Sequence, residues 1–80
     1  MLSELKNGSR VVGAKQVRRA VAEGSAARVF LARDADPRVT LPLERLCREN
    51  NVPVDTGASM AELGTACDIA VPSAAAAILR

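Results

Sequence analysis

The sequence predicts an α/β protein: a three-layer α/β/α sandwich around a small mixed sheet of about four strands. Short apolar runs of strand length alternate along the chain with segments whose apolar residues recur at helical spacing. Such alternation is typical of helices layered on both faces of a sheet. The chain has 80 residues, of which 49% are hydrophobic, and this predicts one domain over residues 1–80 with a modest core.

The first segments are short. Leu2 and Leu5 stand at helical spacing, so residues 1–7 are predicted to form a short helix that stops at Gly8. Residues 10–12 follow as a short strand.

A longer helix and a central strand come next. The helix is predicted over residues 14–23, and Gly24 closes it because glycine readily adopts the left-handed backbone of a helix end. Residues 28–33 contain a continuous apolar run, which suits a central strand covered on both faces.

The third predicted helix has a clear start and end. Asp36 is placed as the N-cap and Pro37 as the first helical residue. Pro42 is expected to make the start irregular, with one turn before the main body. Asn50 and Asn51 end the helix.

The remaining segments complete the alternation. Residues 52–54 are predicted as a short strand, and Ser59 with Glu62 has the spacing of a capping box that starts a further helix. Residues 68–72 form a loop. Residues 74–79 are predicted as the last strand, although their alanine run has poor β-propensity and its periodicity alone also allows a helix.

Composition excludes several kinds of site. Phe30 is the only aromatic residue, which argues against base-stacking platforms of the RRM or OB kind. Histidine is absent, and Cys47 and Cys67 stand far apart, so we expect no metal site, no cofactor and no catalytic residues. The two cysteines are predicted to be buried thiols. No apolar run is long enough for a membrane span, and we expect a cytoplasmic protein.

The segment from residue 13 to 19 carries the strongest functional signal. Gly13 suits the turn into the helix, and Lys15, Gln16 and Arg19 fall within one sector of about 100° on its surface. The opposite face is apolar and suits core packing; it consists of Ala14, Val17 and Val21. Two cations, an amide and free backbone N–H groups suit nucleic acid. The alternative is a polar helix face that meets only water.

The predicted topology brings three segments toward one edge of the sheet, because sites in open sheets lie where loops leave the strands. These segments are the start of the residue 14–23 helix, the turn at residues 34–36 and the loop at residues 68–72.

In this order, the segments resemble the ribosomal protein L7Ae superfamily of kink-turn RNA-binding proteins, and in particular its small bacterial, ribosomal-protein-like branch. The resemblance covers residue 10 to the end. Several short segments carry it, in chain order: residues 13–16 with Arg19, residues 29–37, residues 41–43, residues 46–47, residues 52–53 and residues 63–67.

The resemblance implies a role for each candidate residue. The family motif that enters the major groove at tandem sheared G·A pairs falls on Gly13, Lys15, Gln16 and Arg19. Asp36 lies near the RNA and Thr40 at a position that touches an extruded nucleotide. The loop that covers bases at the bend is Ile69, Ala70 and Val71. From the residues alone, N-capping by Asp36 and core packing by Ile69 and Val71 are equally good interpretations.

Three positions depart from the family pattern. Asp68 stands where the family usually has glycine, and a carboxylate there would repel phosphates unless it turns away. Ala70 stands where small bacterial members often have glutamate. Lys15 and Gln16 replace the Asn-Glu pair of archaeal and eukaryotic members, and this change matches the bacterial branch.

The implied function is non-catalytic recognition and stabilisation of kink-turn RNA. The partner is then a structured RNA, whether ribosomal RNA, a riboswitch or another transcript, with the ribosome itself as a further candidate and with no membrane. The chain is expected to be a monomer. The alternative is a protein-interaction or ribosome-accessory domain of the same fold, favoured by Asp68 and by a net charge of only +2.

Overall fold

The computed structural model describes residues 9–80. The helix predicted over residues 1–7 lies outside the described residues.

The described chain forms a four-stranded mixed sheet. Its strands are β1 (Arg10–Val12), β2 (Ala26–Leu31), β3 (Val54–Asp55) and β4 (Ala75–Leu79). They are ordered β1-β4-β2-β3, so β4 and β2 are the inner strands. Strand β4 pairs antiparallel with both β1 and β2, whereas β3 pairs parallel with β2.

Helices cover both faces of this sheet. Helix α1 (Ala14–Ala22) and helix α2 (Pro37–Glu49) share one core cluster with β2 and β4, which includes Val17 and Leu43. Helix α3 (Met60–Ala66) packs on the opposite face, where its Leu63 joins a second cluster. The predicted three-layer α/β/α sandwich with a mixed four-stranded sheet is therefore confirmed.

The alanine-rich last strand is explained by its position between the two helical layers. Ala75 and Ala77 belong to the core cluster under α1 and α2, while Ala76 belongs to the cluster under α3. All three side chains are buried. Small side chains allow helices to pack close to the sheet on both sides, so tertiary packing outweighs the weak β-propensity of alanine.

The inner strand β2 differs from its predicted limits of 28–33. It begins two residues earlier because Ala26 pairs with Leu79 of β4. It ends at Leu31, and the Arg33 N–H then donates to the Ala58 carbonyl at 2.9 Å. Its coverage on both faces is as predicted, since Val29, Phe30 and Leu31 are fully buried.

The strand predicted at residues 52–54 is shifted to Val54–Asp55. The Val52 N–H donates to the Cys47 carbonyl at 2.8 Å, so it completes the end of α2 rather than a strand. Pro53 has no N–H, and its carbonyl accepts from Val29 at 2.9 Å.

The irregular start expected for α2 is wrong, because the helix runs without a break from Pro37 to Glu49 with Pro42 inside it. Proline at this position removes the intrahelical bond to the carbonyl of Arg38. Pro42 and Arg38 lie on the exposed surface of the helix, where water can satisfy that carbonyl.

Each of the three helices within residues 9–80 ends in the same backbone motif, with one residue of positive φ just beyond the C-cap. Gly24 (φ 77°), Asn51 (φ 57°) and Asp68 (φ 60°) occupy this position after α1, α2 and α3. After α3, the Ile69 N–H donates to the Gly64 carbonyl and the Asp68 N–H to the Thr65 carbonyl, both at 3.0 Å. This is the Schellman pattern, which favours glycine and tolerates Asn or Asp.

Candidate nucleic-acid interface

Helix α1 begins directly at an end of the sheet. Its N-cap is Gly13, whose φ of 99° is a backbone conformation that L side chains rarely adopt. The Gly13 N–H donates to the carbonyl of Ala75 at 2.9 Å, which ties the helix start to the beginning of β4. No atom lies within 4 Å of a Cβ built at this position, so conformation rather than space explains the glycine.

The first turns of α1 present the predicted polar face to solvent. Lys15, Gln16 and Arg19 are exposed, while Val17 and Val21 point into the core. Arg19 forms a long, exposed ion pair with Glu23 at 3.4 Å. Among residues 9–80, no carboxylate lies within ion-pair distance of the Lys15 ammonium. The Lys15 charge is therefore available to a ligand from outside the described chain.

The turn after β2 lies at the same end of the sheet. The Ala32 N–H donates to the Ala74 carbonyl at 2.9 Å, next to the bond between Gly13 and Ala75. The loop at residues 68–72 leads into this strand end. The backbone bonds thus bring two of the three predicted segments, the start of α1 and the turn after β2, together at the beginning of β4, into which the third segment leads.

Asp36 is the N-cap of α2, as predicted. Its Oδ1 accepts the Arg38 N–H at 2.9 Å, and its Oδ2 accepts from Arg38 Nη2 at 2.8 Å. The Arg38 side-chain bonds, helped by the backbone bond, lower the pKa of Asp36, so this carboxylate stays charged. Thr40 lies half-buried in the next turn, with its N–H 3.2 Å from the Asp36 carbonyl. Contact of either residue with RNA stays a prediction.

The predicted cover loop is exposed. Ile69 has 37% of its surface exposed and Val71 62%, and Ala70 is exposed as well. The alternative in which Ile69 and Val71 are core residues is therefore wrong. Large apolar side chains held at the surface can pack against bases that have left a stack.

Two contacts hold this loop in place. A Cβ at Gly64 of α3 would overlap the Val71 carbonyl oxygen, so the helix and loop backbones touch there. Gly64 is thus a close-packing position. The Arg10 guanidinium donates to the Cys67 carbonyl at 2.8 Å and ties β1 to the end of α3. The sequence offers no signal for this second contact, because its partners stand 57 positions apart.

Two further arginines, Arg33 and Arg38, have partners within the protein. Arg33 donates to the Gly57 carbonyl at 2.7 Å and pairs with Glu62 at 3.2 Å, on the α3 side of the sheet. Arg38 pairs with Asp36 but remains 89% exposed. It lines a surface groove together with Lys15 and Arg18.

The described residues contain no grouping that suggests metal or nucleophilic chemistry. No cluster of three His, Cys, Asp or Glu side chains suited to a metal occurs among residues 9–80. Cys47 and Cys67 are free and buried, and burial raises the pKa of both thiols, so they are poor nucleophiles. Across the same residues, no helix has the length and apolarity to cross a bilayer.

Comparison with known proteins gives a consistent result. The model of the "Ribosomal protein L7Ae/L30e/S12e/Gadd45 family" matches residues 2–80. A protein of Geobacillus sp. strain WCH70, named an RNA-binding protein, is 47% identical over 76 residues, covering 95% of this chain and 93% of its own. The RNA-binding protein YbxF of Geobacillus stearothermophilus is 46% identical with the same coverage. These names describe RNA binding and no enzymatic reaction.

A solved structure extends the comparison to the fold. The 15.5kD RNA binding protein of Giardia lamblia superimposes with a TM-score of 0.92 at 33% identity. The match covers 99% of this chain and 70% of the Giardia protein.

Proposed function

The chain belongs to the ribosomal protein L7Ae/L30e/S12e/Gadd45 family, and we propose that it is a non-catalytic RNA-binding protein that recognises and stabilises kink-turn RNA through its sheared G·A pairs. One observation carries the proposal: the exposed cationic start of α1 is bonded to the beginning of β4, and the exposed apolar loop at residues 69–71 leads into that same strand end. The names of the relatives support RNA as the ligand.

Helix α1 supplies the polar contacts of the proposed interface. A major groove opened by sheared pairs presents the O6 and N7 acceptors of guanine, and the Lys15 ammonium donates to them. Gln16 pairs with an adenine edge or orients Lys15. Arg19 stands one turn further along the helix, where it binds phosphate.

Helix α2 and the cover loop supply the remaining contacts. Asp36 faces the RNA at the N-terminus of α2, and Thr40 touches an extruded nucleotide. The side chains of Ile69 and Val71 cover unstacked bases at the bend, with Ala70 between them. RNA is commonly recognised by shape and displaced bases in this way.

Binding stabilises the bend by a shift of population. The protein binds the kinked RNA more tightly than the open RNA, so it draws the RNA into the kinked state. We propose that the partner is an RNA that contains a kink turn: a ribosomal RNA, a riboswitch or another transcript. The protein would meet the first of these on the ribosome. We also propose that residues 1–80 act as one monomeric domain in the cytoplasm, where two free thiols stay reduced.

A comparison of dissociation constants for two RNAs tests the proposal. Fluorescence anisotropy would give the dissociation constants for a kink-turn RNA and for the same RNA with its G·A pairs replaced by Watson–Crick pairs. We expect strong preference for the first RNA, and loss of that preference in Lys15→Ala, since a base contact of this kind is worth about 1–3 kcal/mol. Equal affinity of the wild-type protein for both RNAs would instead favour the protein-interaction alternative.

A further inference from the structure

We infer that the groove between α1 and α2 is a second RNA-binding surface, in which Arg18 and Arg38 bind backbone phosphates of the strand that leaves the G·A pairs. The inference rests on the proposed function and extends the interface beyond the residues assigned above.

The groove is large enough for a nucleotide backbone. Its volume is about 320 Å³, and its floor includes the apolar side chains of Val39 and Leu43. A phosphodiester with its ribose therefore fits, with the sugar carbons against the apolar floor.

The rim of the groove is cationic. Lys15 and Arg18 line it from α1, and Arg38 lines it from α2. Within the chain from residue 9 onward, Lys15 and Arg18 have no carboxylate at ion-pair distance. Asp36 balances the charge of Arg38, so Lys15 and Arg18 give this concave surface its net positive charge. A positive concave surface attracts an anionic backbone.

Arg38 is oriented for this contact by its own helix. Its Nε and Nη2 donate to the Asp36 carboxylate at 3.1 and 2.8 Å. A guanidinium carries five N–H donors in a fixed plane, so the donors of Nη1 remain for a phosphate. Asp36 thus acts as a positioning residue for Arg38.

The groove is continuous with the face proposed to read the bases. Lys15 and Arg18 also line a second concave surface, which contains Gln16 and Arg19. On an ideal helix, Arg18 stands about 60° from Lys15, on the side away from Gln16 and toward α2. An RNA strand bound at Lys15 therefore passes into the groove without crossing another part of the protein, and this continuity favours RNA over an acidic protein segment.

The test compares the salt dependence of RNA binding among four variants. The groove variants are Arg18→Ala, Arg38→Ala and the charge-preserving Arg38→Lys. The control is Arg48→Ala, which removes an exposed charge from the last turn of α2, about 15 Å along the helix from Arg38. Dissociation constants for one kink-turn RNA are measured by anisotropy across a series of KCl concentrations, and circular dichroism confirms folding.

We expect each alanine variant in the groove to bind several-fold more weakly at low salt and to reduce the slope of log affinity against log salt by about one. Arg38→Lys should retain the wild-type slope, and Arg48→Ala should change neither quantity. If Arg18→Ala and Arg38→Ala keep the wild-type slope and still prefer kinked RNA, the groove inference is overturned but the proposed function is not. Absence of that preference in the wild-type protein would overturn the proposed function as well. Loss of binding to polyglutamate in the groove variants, with unchanged RNA binding, would assign the groove to acidic protein segments.

Discussion

The α-carbon of Gly64 faces the backbone carbonyl oxygen of Val71 so closely that a Cβ at position 64 would overlap that oxygen. The backbone of α3 at Gly64 therefore limits how closely the loop at residues 69–71 can approach the helix. The bond from Arg10 to the Cys67 carbonyl holds the end of the same helix from the other side. The loop that carries the exposed apolar side chains is thus in direct backbone contact with α3.

Gly64→Ala is expected to destabilise the protein. In an open helix this substitution would add about 1 kcal/mol of stability. Here the new methyl group must displace the Val71 backbone, and overpacking of this kind costs about 1–3 kcal/mol. Urea denaturation would measure the loss, with Thr65→Ala on the exposed side of the same helix as the control. Unchanged stability would mean that the loop moves away from the new methyl group without cost, and would contradict a fixed contact between Gly64 and Val71.

Substitution of Asp68 tests the charge beside the cover loop. Asp68 is exposed and occupies the left-handed position at the end of α3, which asparagine also tolerates. Asp68→Asn should leave the melting temperature near wild type and tighten RNA binding several-fold at low salt. The gain should shrink in 1 M KCl, where the Debye length falls to about 3 Å. A gain that persists in high salt would point to an effect other than charge.

Substitution of Asp36 separates capping from RNA contact. Asp36→Ala removes the N-cap of α2 and should cost about 1 kcal/mol in a thermal unfolding experiment. Asp36→Ser keeps a capping oxygen and should lie closer to wild type in stability. We expect the serine variant to bind kink-turn RNA more weakly all the same, because serine cannot hold the Arg38 guanidinium as the Asp36 carboxylate does. Wild-type affinity in Asp36→Ser would leave Asp36 with the capping role alone.

Stability is expected to fall in acid partly through Glu62. The Ser59 backbone N–H, then Arg33 and the Ser59 hydroxyl, lower the pKa of Glu62 in the fold. Because the pKa is lower in the fold, the unfolded chain takes up this proton at a higher pH than the folded chain does. The stabilising contribution is therefore complete above the ordinary glutamate pKa of about 4.3. It is lost as the pH falls through the lower folded-state pKa.

Glu62→Gln supplies the comparison for this pH effect. The difference in free energy of unfolding between wild type and Glu62→Gln should be constant near neutral pH and should shrink below about pH 4.3. Chemical denaturation at a series of pH values measures it. A difference that stays constant down to pH 2 would contradict the assigned role of this carboxylate.

Local signals in the sequence were sufficient for most of the fold. Gly24 and Asn51 mark helix ends because few residues adopt positive φ, and Asp36 and Ser59 mark helix starts because their side chains accept first-turn N–H groups. The limits of β3 were not predictable in this way. They depend on the Val52 N–H, which bonds to the end of α2 rather than to a neighbouring strand.

The candidate site was predictable where it follows one helix and was missed where it depends on two elements. Lys15, Gln16 and Arg19 share a face of α1 by helical geometry alone. The groove that joins Arg18 to Arg38 exists only because α1 and α2 pack side by side on the sheet. No sequence pattern specifies that packing at the level of single side chains.

The central claim is that this protein closes a kink turn. The most direct measurement is energy transfer between dyes on the two stems of a kink-turn RNA, titrated without magnesium so that the RNA starts mostly open. We predict that wild-type protein closes this RNA, that Lys15→Ala does so only at much higher concentration, and that the same RNA with Watson–Crick pairs in place of its G·A pairs stays open. No change in energy transfer on saturation with wild-type protein, or equal closure of both RNAs, would contradict the claim.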